Sequence, residues 1–362
     1  MSSLKVMCWN VENLFLPPAD DAAAQDRFLR KLANLAAVID GEQPDVLALQ
    51  EIGPDGALEA LQQALTHSMP HALEGIPDRR GIRVAFLSKH PISRQHTIQR
   101  FPPLIRPVQA VDPVFDDPAT EPDESLNQAM GRGALEVEID LDGEAVTVIT
   151  AHFKSKLISY ARRRPDAAGS TFSPRDEDER YRYAAYALYR RTGESVTIRD
   201  RINALLSGDQ GEPDPRQGQG REKAVVFCGD LNDQPDAATT QIIQGPSGSE
   251  IDTQGFRSPD KGDGYRLWNL APILNRSENG QPPAEAPYTR RFEGRGELID
   301  HIFASHRLVN PNNIPKAWTV AATPALPSIS ETPYERRDDP ASDHAAVVAC
   351  FSLRVRHRGR TG

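Results

Sequence analysis

The chain has little cysteine, few aromatic residues, no surplus of positive charge and no long apolar run. Each shortage removes a class of protein. The three cysteines, Cys8, Cys228 and Cys350, are odd in number, far apart and embedded in apolar stretches. Such spacing offers neither a disulfide framework nor a zinc site, so they read as buried, reduced thiols. Aromatics make up 6% of 362 residues and the formal net charge is −9. A molecule so balanced is not a polycation that coats nucleic acid. Any anionic substrate must be gripped by local positive charge or by metal ions. No stretch supplies the ~20 consecutive apolar residues that cross a bilayer. Met1-Ser2-Ser3-Leu4-Lys5 runs straight into a strand without an apolar leader. The expectation is a soluble, cytoplasmic protein with no membrane partner.

What the chain does have is 30 prolines and 25 glycines set between short apolar runs. Val6 to Trp9 and Val46 to Leu49 are continuous apolar runs, as buried strands require. Between them Phe28, Leu32, Leu35 and Ile39 recur at helical spacing. Asp55 is a candidate cap for a helix carrying Leu58, Leu61 and Leu65. Gly81 to Ser88 returns to strand, and Ile92 to Gln99 alternates like its hairpin partner. Gly133 to Ile139 and Glu144 to Phe153 flank Leu141-Asp142-Gly143, a hairpin signal. Arg175 to Leu206 reads as one or two Arg-rich helices. Strands are expected at Ala224 to Gly229, Tyr265 to Leu270, Leu298 to Ala304 and Ala345 to Phe351, with a helix near Ala237 to Ile243. Two stretches break the rhythm, a proline-rich, acidic one near 101–131 and a second near 157–222. No linker separates two cores, so 1–353 is expected to form one domain, followed by a basic flexible tail, 354–362.

The strand ends carry the chemistry. Asn10 and Glu51 close the first two apolar runs, and an unpaired carboxylate in such a place needs a cation or an exposed strand end. Asp230 and Asn232 follow Val225-Val226-Phe227-Cys228-Gly229. Spacing of two puts both on one face if the strand continues, and a carboxylate beside an amide can hold a phosphoryl oxygen, a water or a hard cation. Gly229 would let a ligand approach the backbone. Asp343-His344 enters the last strand with a carboxylate next to a side chain that titrates near neutrality. In Leu298-Ile299-Asp300-His301-Ile302, alternation sends Asp300 and His301 to opposite faces. Asp300 is the better candidate for orienting a histidine, and His301 for packing. His152 ends another strand, with Lys154 and Lys156 on its face if the strand persists. Each marker alone is also compatible with a turn, a cap or a solvated strand end.

As an ordered set, Trp9-Asn10-Val11, Leu49-Gln50-Glu51, His152, Gly229-Asp230-Leu231-Asn232, Asp300 and Ser342-Asp343-His344 resemble the endonuclease/exonuclease/phosphatase superfamily. Val11-Glu12-Asn13-Leu14-Phe15, His152-Phe153-Lys154-Ser155-Lys156 and Gly229-Asp230-Leu231-Asn232-Asp233 look like its bacterial branch of predicted extracellular, deoxyribonuclease-like nucleases. The resemblance implies an α/β four-layer sandwich, two mixed β-sheets flanked by helices. It also implies Asn10 and Glu51 as ligands of Mg²⁺ or Mn²⁺, with Asp343 nearby. Asp230 would position or deprotonate the attacking water, and Asn232 would bind a phosphate oxygen. His344, oriented by Asp300, would stabilise the transition state, and His152 would contact phosphate or protonate the leaving oxygen. Arg132 matches a phosphate-binding position.

A nucleic-acid substrate is the first expectation, because Lys154, Lys156 and Arg162 to Arg164 follow a site strand. A small-molecule or lipid phosphoester is the alternative, favoured by the overall acidity and by the lack of aromatics within that basic tract. A binding protein without catalysis is disfavoured, because every ligand position is filled.

Overall fold

The computed structural model describes residues 2–103 apart from 55 and 79, and 128–208 apart from 157, 159, 164–167 and 172. It also describes 218–258 apart from 246, 247 and 249, 264–320 apart from 293 and 294, and 341–353. Most of the 101–131 stretch, Asp55, Arg164 and the 354–362 tail therefore lie outside the described residues.

The chain begins with β1 (Ser2–Leu14), α1 (Ala22–Glu42), β2 (Val46–Ile52), α2 (Ala57–Ala64), β3 (His71–Glu74) and β4 (Arg83–Ser88). Next come β5 (Ile92–Arg100), β6 (Ala129–Leu141), β7 (Glu144–His152), β8 (Tyr160–Arg163) and β9 (Ala168–Thr171). The 30-residue α3 (Glu177–Leu206) leads to β10 (Ala224–Asp230), α4 (Ala238–Gln244) and α5 (Gln254–Arg257). The last strands are β11 (Leu267–Asn269), β12 (Arg290–Phe292), β13 (Arg295–Glu297), β14 (Asp300–Ser305), β15 (Lys316–Val320) and β16 (Ala346–Leu353).

Two six-stranded sheets result, in the orders β15-β16-β1-β2-β4-β3 and β11-β14-β10-β7-β6-β5. Both are mixed: β1 is parallel to β2 and antiparallel to β16, and β10 is parallel to β7 and antiparallel to β14. Strand alternation sorts the apolar residues into layers. Leu4, Val6 and Cys8 of β1 meet Val137, Val148, Val226 and Cys228 of the second sheet in a core between the sheets. Met7, Trp9 and Val11 face the other way and pack with Leu35 and Ile39 of α1 and Leu58 and Leu61 of α2. Ile149, Val225 and Phe227 pack outward against Ile198, Ile202 and Leu206 of α3 and Ile243 of α4. The expected α/β sandwich of helices, two sheets and helices is what forms. Cys8 and Cys228 are buried, Cys350 is half-buried, and all three are free thiols.

One expectation needs correction. β5 is not the partner of β4. It crosses to the second sheet and pairs with β6, whereas β4 lies between β2 and β3. The difference is visible in burial: β4 is buried from Val84 to Ser88, while β5 is largely exposed, as an edge strand can be. Arg175 to Leu206 contains a single helix, capped by the Asp176 carboxylate, which accepts from the Glu179 amide. Gly56, in the left-handed region at φ 99°, is the N-cap residue of α2 and supplies no side-chain cap. The hairpin after β6 is as read: Asp142 and Gly143 adopt φ 55° and 87°, the pair of positive angles that a two-residue turn needs. Among the described residues no helix is long and apolar enough to cross a membrane.

Candidate active site

Strand direction gathers the polar markers. β1, β2, β7 and β10 all end at one pole of the sandwich, and β14 and β16 begin there. Register then sets the row. Asp230 is the cross-strand partner of His152 on one side and of Asp300 on the other. The first sheet supplies Asn10, Glu51, Asp343 and His344.

Three contacts fasten β1 to the 342–344 segment, and a fourth shapes that segment itself. Trp9 Nε1 donates to the His344 carbonyl at 2.9 Å, and Ser342 Oγ donates to the Asn10 carbonyl at 2.5 Å. The His344 amide donates to Ser342 Oγ, and the Asp343 amide to the Glu12 carboxylate. Across the sheets, buried Gln50 donates to Thr150 Oγ1 at 2.9 Å. Gly229 serves β7 rather than a ligand, contrary to expectation: a Cβ there would lie 2.0 Å from the Ala151 carbonyl oxygen.

Asp230 is the hub. Its Oδ2 accepts from Asn10 Nδ2 at 3.0 Å and lies 3.4 Å from His152 Nε2 and 3.9 Å from His344 Nε2. Its Oδ1 accepts from the Asn232 amide at 2.9 Å. Burial and the neighbouring Asp300 charge push the Asp230 carboxyl up to about 7, against the pull of His344 and of its hydrogen bonds from Asn10 and Asn232.

His344 Nδ1 donates to Asp300 Oδ2 at 2.7 Å, and the other oxygen of Asp300 is buried without a partner among the described residues. Burial opposes charge on this imidazole, yet Asp300, Asp343 and Asp230 together raise it to about 10. His152 behaves oppositely. Burial, with the Arg132, His344, Lys154 and Arg80 charges, holds it well below the ordinary imidazole value, and its Nδ1 has no partner among the described residues. The site thus pairs a charged histidine with a neutral one.

Glu51 lies at φ 64°, in the left-handed region. Its carboxylate accepts from Asn10 Nδ2 at 3.2 Å and from the Asn13 amide at 2.9 Å, and stands 3.9 Å from His152 Nε2. Glu12, Asn13 and Asn232 also have positive φ, at 48°, 48° and 53°. Non-glycine residues in this region cost about 1–3 kcal/mol each, and four of them cluster at this pole.

Two conditional expectations are not met. β10 ends at Asp230, so Asn232 is turned out of strand geometry and its Nδ2 donates to the Phe153 carbonyl at 3.1 Å. β7 ends at His152, so Lys154 and Lys156 do not continue its face. Lys156 pairs with Asp233 at 3.1 Å, and Arg132 pairs with Asp78 at 2.9 Å. Lys154 is held at both ends of its backbone by α3: its amide donates to buried Glu194 at 2.7 Å, and its carbonyl accepts from Arg191 at 3.2 Å. Burial lowers the Lys154 ammonium to about 8; Glu194 opposes that, and Arg132, Arg190 and Arg191 add to it. Arg162 and Arg163 lie on β8, which pairs with β9.

Sequence reasoning passed over Glu194 and Arg191. They sit mid-helix among many charges, and only the i,i+4 spacing of Arg190 and Glu194 could have drawn attention to them. His301 is packed as expected: it is buried, lies 3.3 Å from Asn269 Nδ2 through Nδ1, and donates from Nε2 to the Asp233 carbonyl at 2.9 Å.

The sequence model described as the Endonuclease/Exonuclease/phosphatase family matches residues 7–344, the span from β1 to His344 that these contacts tie together. The chain belongs to that family. It is therefore a phosphoesterase of the divalent-metal-dependent kind. Solved structures share the fold. A truncated Caenorhabditis elegans TDP2 is 15% identical, with a TM-score of 0.52 and 96% of this chain and 97% of that one covered. An endonuclease/exonuclease/phosphatase from Bacteroides vulgatus is 12% identical, with a TM-score of 0.53 and coverage of 98% and 100%. The human Nocturnin catalytic domain, solved with a bound sulfate anion, is 16% identical, with a TM-score of 0.53 and coverage of 98% and 94%. No curated protein matches the sequence.

The charge of the site suits a family metal. Glu51, Asp230, Asp300 and Asp343 gather at one pole. Among the described residues, none of the first three has a lysine or arginine within ion-pair distance. Asp230, Asp300 and His344 offer ligand atoms within 4.8 Å of one another. A protonated imidazole cannot ligate, however, so His344 is better suited to meeting an anion than a cation. Oxygen donors without thiolate suit a hard divalent ion.

Proposed function

We propose that the chain is a divalent-metal-dependent phosphodiesterase, a nuclease that cleaves DNA or RNA by attack of water on phosphorus. The observation that carries this reading is the buried row His152, Asp230, Asp300 with His344 closing over it. One carboxylate stands between two imidazoles, one of them backed by a second carboxylate. Asp230 orients and deprotonates the attacking water. His344, kept in place and charged by Asp300, faces the negative charge that builds on the phosphoryl oxygens. His152 hands a proton to, or hydrogen-bonds, the leaving oxygen, and Asn232 contacts a phosphate oxygen. Asn10 and Glu51, with Asp343 nearby, would hold Mg²⁺ or Mn²⁺, which when bound neutralises phosphate charge. In this structure Asn10 turns Nδ2 toward Glu51 and Asp230. Ligation through its oxygen therefore requires the amide to turn over.

The likeness of the motifs at 11–15, 152–156 and 229–233 to the bacterial deoxyribonuclease-like branch supports a nuclease, as does the run of basic residues after β7. Lys154, Lys156 and Arg132 are assigned to substrate phosphate, and residues 1–353 to one domain, since the site needs Asn10 and His344 together. A small-molecule phosphoester is the second reading, favoured because Lys156 and Arg132 already have carboxylate partners. Purified protein with Mg²⁺ or Mn²⁺ is to be assayed on supercoiled DNA, linear DNA, single-stranded RNA and a panel of phosphomonoesters. Turnover of nucleic acid is expected. Turnover of phosphomonoesters alone would overturn the nuclease reading.

A further inference from the structure

The hairpin β12–β13 stands at the site, and the proposed chemistry leaves it idle. Its root is fastened to catalytic neighbours. The Thr289 carbonyl accepts from the Ala345 amide at 2.7 Å, and Thr289 Oγ1 accepts from the Ile299 and Asp300 amides at 3.1 and 3.2 Å. One residue on, Arg290 Nε lies 3.6 Å from the Asp343 carboxylate and is buried without a hydrogen-bond acceptor among the described residues.

The register pairs Arg290 with Glu297, Arg291 with Gly296 and Phe292 with Arg295. Alternation therefore places Arg290, Phe292, Arg295 and Glu297 on one face, and the Asp343 contact turns that face toward the site. On it the Arg290 guanidinium lies over the Phe292 ring, 5.5 Å from the centroid. On the other face Arg291 lies 5.1 Å from the centre of the Tyr288 ring. Gly296 makes room for that ring, because a Cβ there would come within 2.9 Å of Tyr288. Both Phe292 and Arg295 are exposed. The interleaving of arginine and aromatic rings that the basic tract after β7 lacks is thus present here, on another element. Two residues along a strand span about 7 Å, so Phe292 stands one short step outward from the residue that touches Asp343.

We propose that the Arg290–Phe292–Arg295 face of this hairpin is a base-stacking wall of the substrate cleft, selecting a nucleic-acid strand whose base next to the scissile phosphate is unpaired. The proposal rests on the nuclease reading above. An aromatic ring backed by a guanidinium offers a flat surface to any base, and the arginines attract the flanking phosphates. A base inside an intact duplex is already stacked on its neighbours and cannot use the wall.

The test uses an oligothymidylate in which one phosphodiester remains cleavable among phosphorothioates, and twins with an abasic residue on either side of that bond. Wild type, Phe292→Ala and Phe292→Tyr are compared by kcat/KM with Mg²⁺ or Mn²⁺, with thermal melting as the control on folding. Phe292→Ala is expected to lose on the order of 5- to 150-fold on the full strand. Phe292→Tyr keeps most of the activity. On one abasic twin the Phe292→Ala loss should vanish, because the ring it would have stacked on is gone. Wild type alone should prefer the full strand to that twin, and the single strand to the same sequence in duplex. Equal losses on every substrate, or no wild-type preference for the full strand, would overturn the stacking wall while leaving a nuclease. A wild type inert on every strand but active on a small phosphoester would refute the nuclease reading together with this one.

Discussion

Replacing Asp300 by Asn removes one charge and almost no volume from the floor of the site. Asp300 is fully buried, bonded through one oxygen to His344 at 2.7 Å. Asp343 and Asp230 also support the imidazolium, but from 3.7 and 3.9 Å. Burial works against charge on His344, and the carboxylates overcome it to hold the group at about 10. Against the ordinary value near 6.5, that is on the order of 5 kcal/mol in favour of the charged form. Asp300 contributes the largest attractive part. With Asn in its place only Asp343 and Asp230 oppose burial, so His344 should give up its proton at a lower pH. The direction for stability follows: a raised imidazole stabilises the fold fully below its unfolded value, and that contribution disappears as pH rises through about 10.

Loss of a charged donor aimed at developing charge costs about 10²–10³ in turnover, and an Asn can also hold the wrong tautomer of its histidine. The assay is kcat against pH at saturating metal, joined to thermal melts over the same range. Wild type should hold its activity until pH nears about 10. Asp300→Asn should be slower throughout, with its alkaline decline moved to lower pH than that of wild type and a flatter dependence of melting temperature on alkaline pH. A variant within about fivefold of wild type near neutrality, far short of the loss expected for a charge-stabilising donor, would refute the dyad. So would an unmoved alkaline limb.

Chelation by EDTA should abolish activity, and Mg²⁺ or Mn²⁺ should restore it. Glu51→Ala should raise the metal concentration for half-activity severely; full activity of that variant at low metal would remove Glu51 from the metal site. His301→Ala takes away two buried hydrogen bonds. It should lower stability by about 1–3 kcal/mol in urea titration while the folded enzyme keeps its kcat, and a large loss of kcat with the fold intact would place His301 in the chemistry. Glu194→Gln keeps the shape of the clamp on the Lys154 amide and removes the one charge there that lifts the Lys154 ammonium. A proton leaves a lysine more easily once that charge is gone, so KM should rise and its alkaline increase should begin below the wild-type range near 8. An unchanged KM profile would make Glu194 a packing residue only.

The strands and the polar residues at their ends were legible because both are local patterns. Val46 to Leu49 is apolar without interruption, and Gln50-Glu51 ends it. Asp300 and His301 could be told apart by alternation alone, and the fold sends one to His344 and the other to Asn269 and Asp233. Sheet membership was not legible. β4 and β5 are separated only by Lys89-His90-Pro91, a length that suits a hairpin, yet the chain uses it to change sheets. β15, a pairing partner of β16, carries too short a pattern to stand out.

The finer placement of the site depends on contacts between residues far apart in the chain. Asn232 and Glu51 carry the right side chains, but their aim is set by left-handed backbone angles that no sequence spacing announces. Such angles persist only where the surroundings over-determine them. Here the surroundings are particular: the Asp230 carboxylate and the Phe153 carbonyl hold Asn232, and the Asn13 amide and Asn10 hold Glu51. Each of these holders lies at or close to the end of a site strand. The polar residues at the pole therefore fix one another's geometry as well as meeting a substrate. Removing one should misplace the next, so paired substitutions such as Asn10→Ala with Asp230→Asn should cost much less than the two single losses combined.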